Sequence, residues 1–318
     1  MTADNLIKTL KTRLTGFRTW LTAPMHHDII YTIKHDMLMH QTINSDKPGI
    51  TPERHAPEEL IVSLTTYGPR LKEVSSAIES IMQGTLKPNR IILCLENELK
   101  HTPLPITLQN QQKRGLEILY YKNIRSYKKL IPTLISFPEA AVITIDDDAI
   151  YAYDLVEKLV NAHNQHPRHI IANRTCRIKL DSDGRPLSYL LWDDGNRFRD
   201  ASPLNFQTGV GGVLYPPHSL HPEAVNDDAF MRLCPNADDV WFYSMALMAG
   251  TRVVKCETHA AAGNDYVTNE SVQNVCLNKS NNYPLPIAKK KNICCLNDVQ
   301  LAAVFDHYHL WEKLKADE

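Results

Sequence analysis

The chain has 318 residues, 43% hydrophobic and 22% charged, enough for one large domain with extensions or two modest ones. Lys and Arg number 35 against 36 Asp and Glu, so a formal charge of −1 offers nucleic acid no global attraction. Seven scattered cysteines without a Cys-x-x-Cys pair argue against structural zinc and suit a reducing compartment. No signal-peptide pattern is evident, and no apolar stretch approaches the roughly 20 residues of a spanning helix. A cytoplasmic protein, peripheral on the inner membrane if its N-terminus meets lipid, is the expectation.

Leu6, Leu10, Leu14, Phe17 and Leu21 recur at helical spacing, with Lys8, Lys11, Arg13 and Arg18 largely between them. Such a basic amphipathic helix suits an anionic membrane surface, or packing on its own catalytic domain or a partner chain. The run Asn44–Gly49 with Pro52 reads as a linker, so residues 1–56 form an N-terminal extension.

From Leu60 the text alternates strand and helix. Leu60–Leu64 predicts a strand, broken by Tyr67-Gly68-Pro69. Leu71, Val74, Ile78, Ile81 and Met82 mark one helical face ending at Gly84. Further strands are predicted over Arg90–Leu95, Leu116–Tyr120 and Ala140–Ile145, the last closed by Asp146-Asp147-Asp148. Continuous apolar strands separated by helices predict a mostly parallel, buried sheet with helices on both faces. A helix follows over Asp154–His163. Arg177–Leu180 and Pro186–Leu191 around Asp183-Gly184 then read as a hairpin. Past a Gly-rich stretch come a helix over Asp238–Met248, a strand over Arg252–Cys256 and a terminal helix over Asp298–Lys315. This organisation predicts a catalytic domain over 57–266 and a tail over 267–318.

In open parallel sheets ligands bind beyond the carboxyl ends of the strands. Thr65–Arg70, Glu96 and Asp146–Asp148 occupy such ends. Three carboxylates on one strand tip repel one another unless something positive neutralises them. A hard divalent cation with oxygen ligands is one neutraliser, and it would bridge the phosphates of a nucleoside diphosphate. The competing reading is a solvated acidic turn or a helix cap. Asp238-Asp239 opens a predicted helix. One carboxylate can cap it and the other is spare for general-base chemistry, against two acids favoured by the helix dipole. Thr208–Tyr215 carries Gly209, Gly211 and Gly212, which permit close backbone approach to a ligand or serve a tight bend. Arg125, Lys128 and Lys129 can neutralise phosphates, although exposed helix residues are the commoner case. A lone His259 could complete a metal shell, and Trp241 could face an acceptor sugar or lie in the core.

The run Leu64–Tyr67, the segment Ile143–Asp148, the stretch Gly209–Tyr215 and the run Ala237–Trp241 together resemble GT-A glycosyltransferases, nearest to family 2. The run Ser126–Pro132 is similar to bacterial polysaccharide and lipopolysaccharide glycosyltransferases. The resemblance spans about residues 58 to 260. It implies a Rossmann-like, mostly parallel α/β sheet and a metal-dependent transfer of a hexose or amino-hexose from a nucleoside diphosphate sugar, UDP above all, to a glycan or lipid-linked glycan. It places Mn2+ or Mg2+ on Asp146 and Asp148, with His259 as a further candidate, and the ribose or sugar on Asp147. The nucleotide pocket falls on Thr65, Tyr67, Arg70 and Glu96, with Lys129, Gly211 and Gly212 also facing the donor. The base is Asp239, or Asp238 failing that. Two departures stand out: Asp238 replaces the family's usual Glu, and the Asn-Gly-Gly donor loop is missing near Gly115. Inversion is the expected outcome. A retaining transferase, a sugar-nucleotide pyrophosphorylase and an inactive glycan-binding protein of the same fold are the rivals.

Overall fold

The computed structural model describes residues 28–257, 265–268, 281–283 and 295–315. The segment over residues 6–21 and His259 lie outside them. In chain order the strands are β1 Leu60–Thr65, β2 Arg90–Glu96, β3 Leu116–Tyr121, β4 Ala141–Thr144, β5 Ala149–Tyr151 and β6 Ile170–Ala172, then β7 Thr175–Arg177, β8 Asp193–Asp194, β9 Asn205–Gln207, β10 Val213–Tyr215, β11 Val253–Lys255 and β12 Tyr266–Thr268. The helices are α1 over 28–44, α2 Ser75–Met82, α3 Ile106–Gln112, α4 Ile131–Ser136, α5 Leu155–Gln165, α6 Asp227–Leu233, α7 Asp238–Ala249 and α8 Leu296–Tyr308.

Seven strands form one sheet in the order β11-β6-β10-β4-β1-β2-β3. All neighbours are parallel except β10, which runs antiparallel between β4 and β6. This is the mixed, mostly parallel α/β sheet with flanking helices that the apolar runs predict. Those runs are continuous because both faces are covered. Leu60, Val62 and Leu64 of β1 join Ile91, Leu93 and Leu95 of β2 in a core shared with α2 and α5. On the opposite face Val142, Ile170, Val213 and Val253 pack with α7 and α8, centred on the fully buried Trp241, Phe242 and Phe305.

Several local expectations need correction. Leu71 lies in a 3-10 turn, Gly68–Lys72, and the α-helix proper begins at Ser75. Gly68 takes φ +51, a left-handed conformation that halts the strand and turns the chain. The hairpin around Gly184 contracts to a turn closed by a single bridge between Leu180 and Pro186. Asp181 Oδ1 accepts the N–H groups of Asp183 and Arg185 there, at 2.9 Å each, so a side chain supplies the bonds a longer ladder would have made. Trp241 is core: it is wholly buried, and its Nε1 donates to Ala224 O at 3.0 Å.

A buried charge ties the N-terminal region to the sheet. Glu79 on α2 is 0% exposed and receives Arg114 Nη1 at 2.8 Å and Gln111 Nε2 at 3.1 Å. Thr42 of α1 donates to the same Oε2 at 3.3 Å, and Arg114 Nε donates to Lys47 O at 2.7 Å. Removing one partner of such a pair strands the other in low dielectric. Glu79→Ala is therefore expected to cost about 3–5 kcal/mol, with Glu79→Gln milder, as read from urea denaturation midpoints.

Candidate functional site

The carboxyl ends of β1, β2 and β4 and the head of α7 surround a cavity of about 810 Å³. Thr65, Tyr67, Arg70, Glu96, Lys129, the three aspartates of 146–148, Asp238 and Asp239 all line it. The topology brings these distant segments together because parallel strands put their carboxyl ends on one side.

The aspartate triplet leaves β4 in a turn and enters the short strand β5, so no helix follows it for those carboxylates to cap. Tyr151 on β5 fixes the turn. Its hydroxyl accepts the Asp146 N–H at 2.8 Å and donates to Val210 O at 3.1 Å, linking the triplet to the glycine loop.

Each carboxylate of the triplet meets a cation of the chain. Arg70 spans two of them, with Nη1 on Asp147 at 2.8 Å and Nη2 on Asp148 at 3.0 Å. Lys129 Nζ lies 3.0 Å from Asp146 and 2.9 Å from Asp238, joining the tip of β4 to the head of α7. Arg70 is thus engaged by carboxylates, and Thr66 donates to Asp147 Oδ2 at 2.5 Å. Thr65, read from sequence as a pocket residue, donates its hydroxyl to Cys94 O at 2.8 Å and ties β1 to β2. Lys128 and Lys129, as basic residues of a short 3-10 segment, would ordinarily be exposed; here both are buried, and Lys128 Nζ pairs with Glu96 at 2.9 Å. Tyr127 beside them anchors the segment by stacking on Phe230 at 4.0 Å and donating to Cys234 O.

Among the described residues, two cations, Arg70 and Lys129, lie within ion-pair distance of Asp146, Asp147, Asp148 and Asp238, while Asp239 meets neither. Burial opposes the Lys129 charge, yet Asp146, Asp238 and Asp239 hold its pKa well above the ordinary lysine value. Burial, with the Asp146 charge beside it, pushes Asp148 up to about 6 against the pull of Arg70. Asp239 is pushed up to about 7, by burial first and then by Asp238, with Lys129 opposing.

Asp238 and Asp239 have separate environments. Asp238 is committed to Lys129. Asp239 Oδ2 accepts the Gly209 N–H at 3.0 Å, while its Oδ1 is shut off from water and has no hydrogen-bond partner among the described residues. A Cβ on Gly209 would sit 2.6 Å from Lys129 Nζ and 2.9 Å from that Oδ1, so a larger residue would push those two side-chain ends aside. Gly211 and Gly212, the pair singled out from sequence, serve the loop itself. A Cβ on Gly211 would strike Arg174 at 2.6 Å, and Gly212 has φ +91 and packs on Leu155. Sequence reasoning read Gly209 and Thr66 only as members of the segments Thr208–Tyr215 and Thr65–Arg70, without roles of their own. Tyr151 and Arg174 were missed, and no sequence signal marked them.

The donor set suits a hard cation with conditions. Among the described residues no three His, Cys, Asp or Glu side chains are grouped to hold a metal. Asp146 and Asp148 could supply two carboxylate oxygens, with the rest from phosphates and water, as Mg2+ or Mn2+ accepts. The excess of negative charge favours such an ion. Arg70 and Lys129 meet every member of the triplet, but two cations leave its three carboxylates short of neutral. His259, the third candidate ligand, lies outside the described residues.

No protein-family model and no curated protein matches the chain. Solved structures similar to part of it include CMP:2-keto-3-deoxy-manno-octonic acid synthetase complexed with CTP, at 13% identity and TM-score 0.38 over 68% of this chain and 95% of that one. The inositol-1-phosphate CTP transferase from T. maritima matches at 12% identity and TM-score 0.37, over 70% and 96%. TarS 1-349 of S. aureus in complex with UDP matches at 13% and 0.39, over 64% and 59%. At these identities and scores the likenesses decide nothing about activity.

A carboxylate whose folded pKa lies above its unfolded value binds its proton more tightly in the native state, so stability falls as pH rises between the two values. Asp239, raised from 3.8 to about 7, therefore weakens the fold across roughly pH 4 to 7 and beyond. Asp239→Asn is expected to flatten that decline and to raise stability at pH 8 by about 1–3 kcal/mol, measured as denaturant midpoints at pH 5 and pH 8.

Proposed function

We propose that the chain is a glycosyltransferase that moves a hexose or amino-hexose from a nucleoside diphosphate sugar to a hydroxyl of a glycan acceptor, with inversion. The observation that carries this reading is one carboxylate, Asp239, set apart from the cation-paired carboxylates beside it. One of its oxygens is held by a backbone N–H and the other has no protein partner among the described residues. A base with a pKa near the working pH combines availability with driving force for proton removal.

In this mechanism the exposed ring of Tyr67, at the mouth of the cavity, stacks on the nucleobase, and the Lys128-Glu96 pair borders the nucleoside. Asp146 and Asp148 would hold Mn2+ or Mg2+, which when bound supplies positive charge to the departing diphosphate. Asp147, kept in place by Arg70 and Thr66, faces the ribose or the sugar. Asp239 takes the proton of the acceptor hydroxyl as its oxygen attacks the anomeric carbon and the bond from that carbon to the diphosphate oxygen breaks. Lys129, bonded to both Asp146 and Asp238, sets the spacing between the donor carboxylates and the base. An acceptor in surface polysaccharide or lipopolysaccharide, and a membrane contact through residues 6–21, complete the proposal; no helix among the described residues is long and apolar enough to cross a membrane.

A panel of nucleoside diphosphate sugars assayed for transfer or slow hydrolysis, with and without Mn2+, tests it. For the active donor, Asp239→Asn should lower kcat about 10²–10⁴-fold while donor KM stays within a few-fold. The wild-type rate should rise with pH and level off above about 7, as Asp239 loses its proton. A variant with an unchanged kcat removes Asp239 from the chemistry. An Asp148→Asn variant is expected to lose donor affinity and metal response together.

A further inference from the structure

The proposed chemistry leaves one side of the cavity unused. Beyond β4 the sheet continues through β10 to β6, and Arg174 follows the end of β6. Neighbouring strands lie about 4.8 Å apart, so the end of β6 is about 10 Å from the aspartate turn. Tyr67 and Glu96 lie on the opposite flank, at the ends of β1 and β2.

Arg174 is fixed by the loop that also holds Asp239. Its carbonyl accepts the Thr208 N–H at 3.1 Å, and its Nη1 donates to Thr208 Oγ1 at 2.9 Å. The bare Cα of Gly211 packs against its Cβ. Arg70, Lys128 and Lys129, which line the same cavity, are each paired with carboxylates. Arg125, exposed at the rim, donates to Pro235 O and Asn236 Oδ1. Arg174 is different: among the described residues Thr208 Oγ1 is the one acceptor that its guanidinium meets, and it forms no ion pair with a carboxylate there. Asp194 is near enough for its charge to be felt, but its oxygens accept from Asn196 N at 3.2 Å and Nδ2 at 2.8 Å. The other charge-bearing neighbours, Cys176, Tyr189 and Tyr266, are neutral at ordinary pH.

A half-buried guanidinium with no carboxylate partner among the described residues keeps donors free to grip an anionic ligand. Tyr189 and Tyr266 line the cavity with it and add ring faces of the kind that pack on sugars. We propose that Arg174 receives a carboxylate or phosphate carried by the acceptor glycan, so that the acceptor is an acidic or phosphorylated sugar. The role of acceptor rests on the transferase reading; the anion site by itself does not.

The test uses the full chain and saturation-transfer NMR titrations of methyl β-D-glucuronide, glucose 6-phosphate and neutral methyl β-D-glucoside, beside a UDP titration. At least one charged sugar should bind about fivefold or more tightly than the neutral one, and which of them does so separates carboxylate from phosphate. Arg174→Gln should abolish the preference and leave UDP affinity within about twofold. Arg174→Lys, with the charge but not the fork, should weaken the charged sugar several-fold and spare the neutral one; it stands in if the Gln variant fails to fold. Equal wild-type affinities for charged and neutral sugars overturn the proposal. So does a loss of UDP binding in the variants as large as the loss of charged sugar, which would make Arg174 a diphosphate ligand. A wild-type chain that prefers the charged sugar but binds no UDP would sink the transferase reading and leave the anion site standing.

Discussion

Lys129 holds the site together. Its ammonium is buried between Asp146, at the tip of a central strand, and Asp238, at the head of α7, at 3.0 and 2.9 Å. Burying three charges is expensive, and it is repaid only where opposite charges meet at close range in a medium that screens them little. Burial opposes the Lys129 charge, and Asp146, Asp238 and Asp239 hold its pKa above the ordinary lysine value. Arg70 does the equivalent for Asp147 and Asp148 from the other side. Strand tip and helix head therefore stand at a defined separation before any ligand arrives.

This arrangement changes the meaning of the acidic cluster. Mutual repulsion of adjacent aspartates suggests that an external cation must neutralise them. The chain does part of that with its own residues, and the remaining excess of negative charge leaves room for a divalent ion shared with phosphates. Burial is the main cause that raises Asp148 to about 6 and Asp239 to about 7.

The loop over 208–212 organises the other half of the cavity through its backbone. Gly209 offers its N–H to Asp239 and leaves space beside the second carboxylate oxygen. Asn173 donates to Gly211 O at 3.0 Å, Thr208 holds Arg174, and Tyr151 reaches Val210. One loop thus fixes the carboxylate proposed for proton removal and a guanidinium with no carboxylate partner among the described residues.

Much of the frame was legible in the amino-acid order. Buried strand segments such as Ile91–Leu95 and Ala141–Ile143 are continuous apolar runs because a parallel sheet covers both faces, and such a run is local information. The same holds for Asp146–Asp148 at a strand end and Asp238-Asp239 at a helix start. Partnership was not legible. That Arg70 meets Asp147, that Lys129 meets both Asp146 and Asp238, and that Gly209 and not Gly211 faces Asp239 depend on which strand ends the crossovers bring together. α1 over 28–44, which sequence reading left unassigned, is held through Thr42 and Glu79, a contact across the fold. Periodicity reports which face of an element is buried; only the packed sheet decides which charges share a low-dielectric space, because Coulomb energy depends on distance through space and not along the chain.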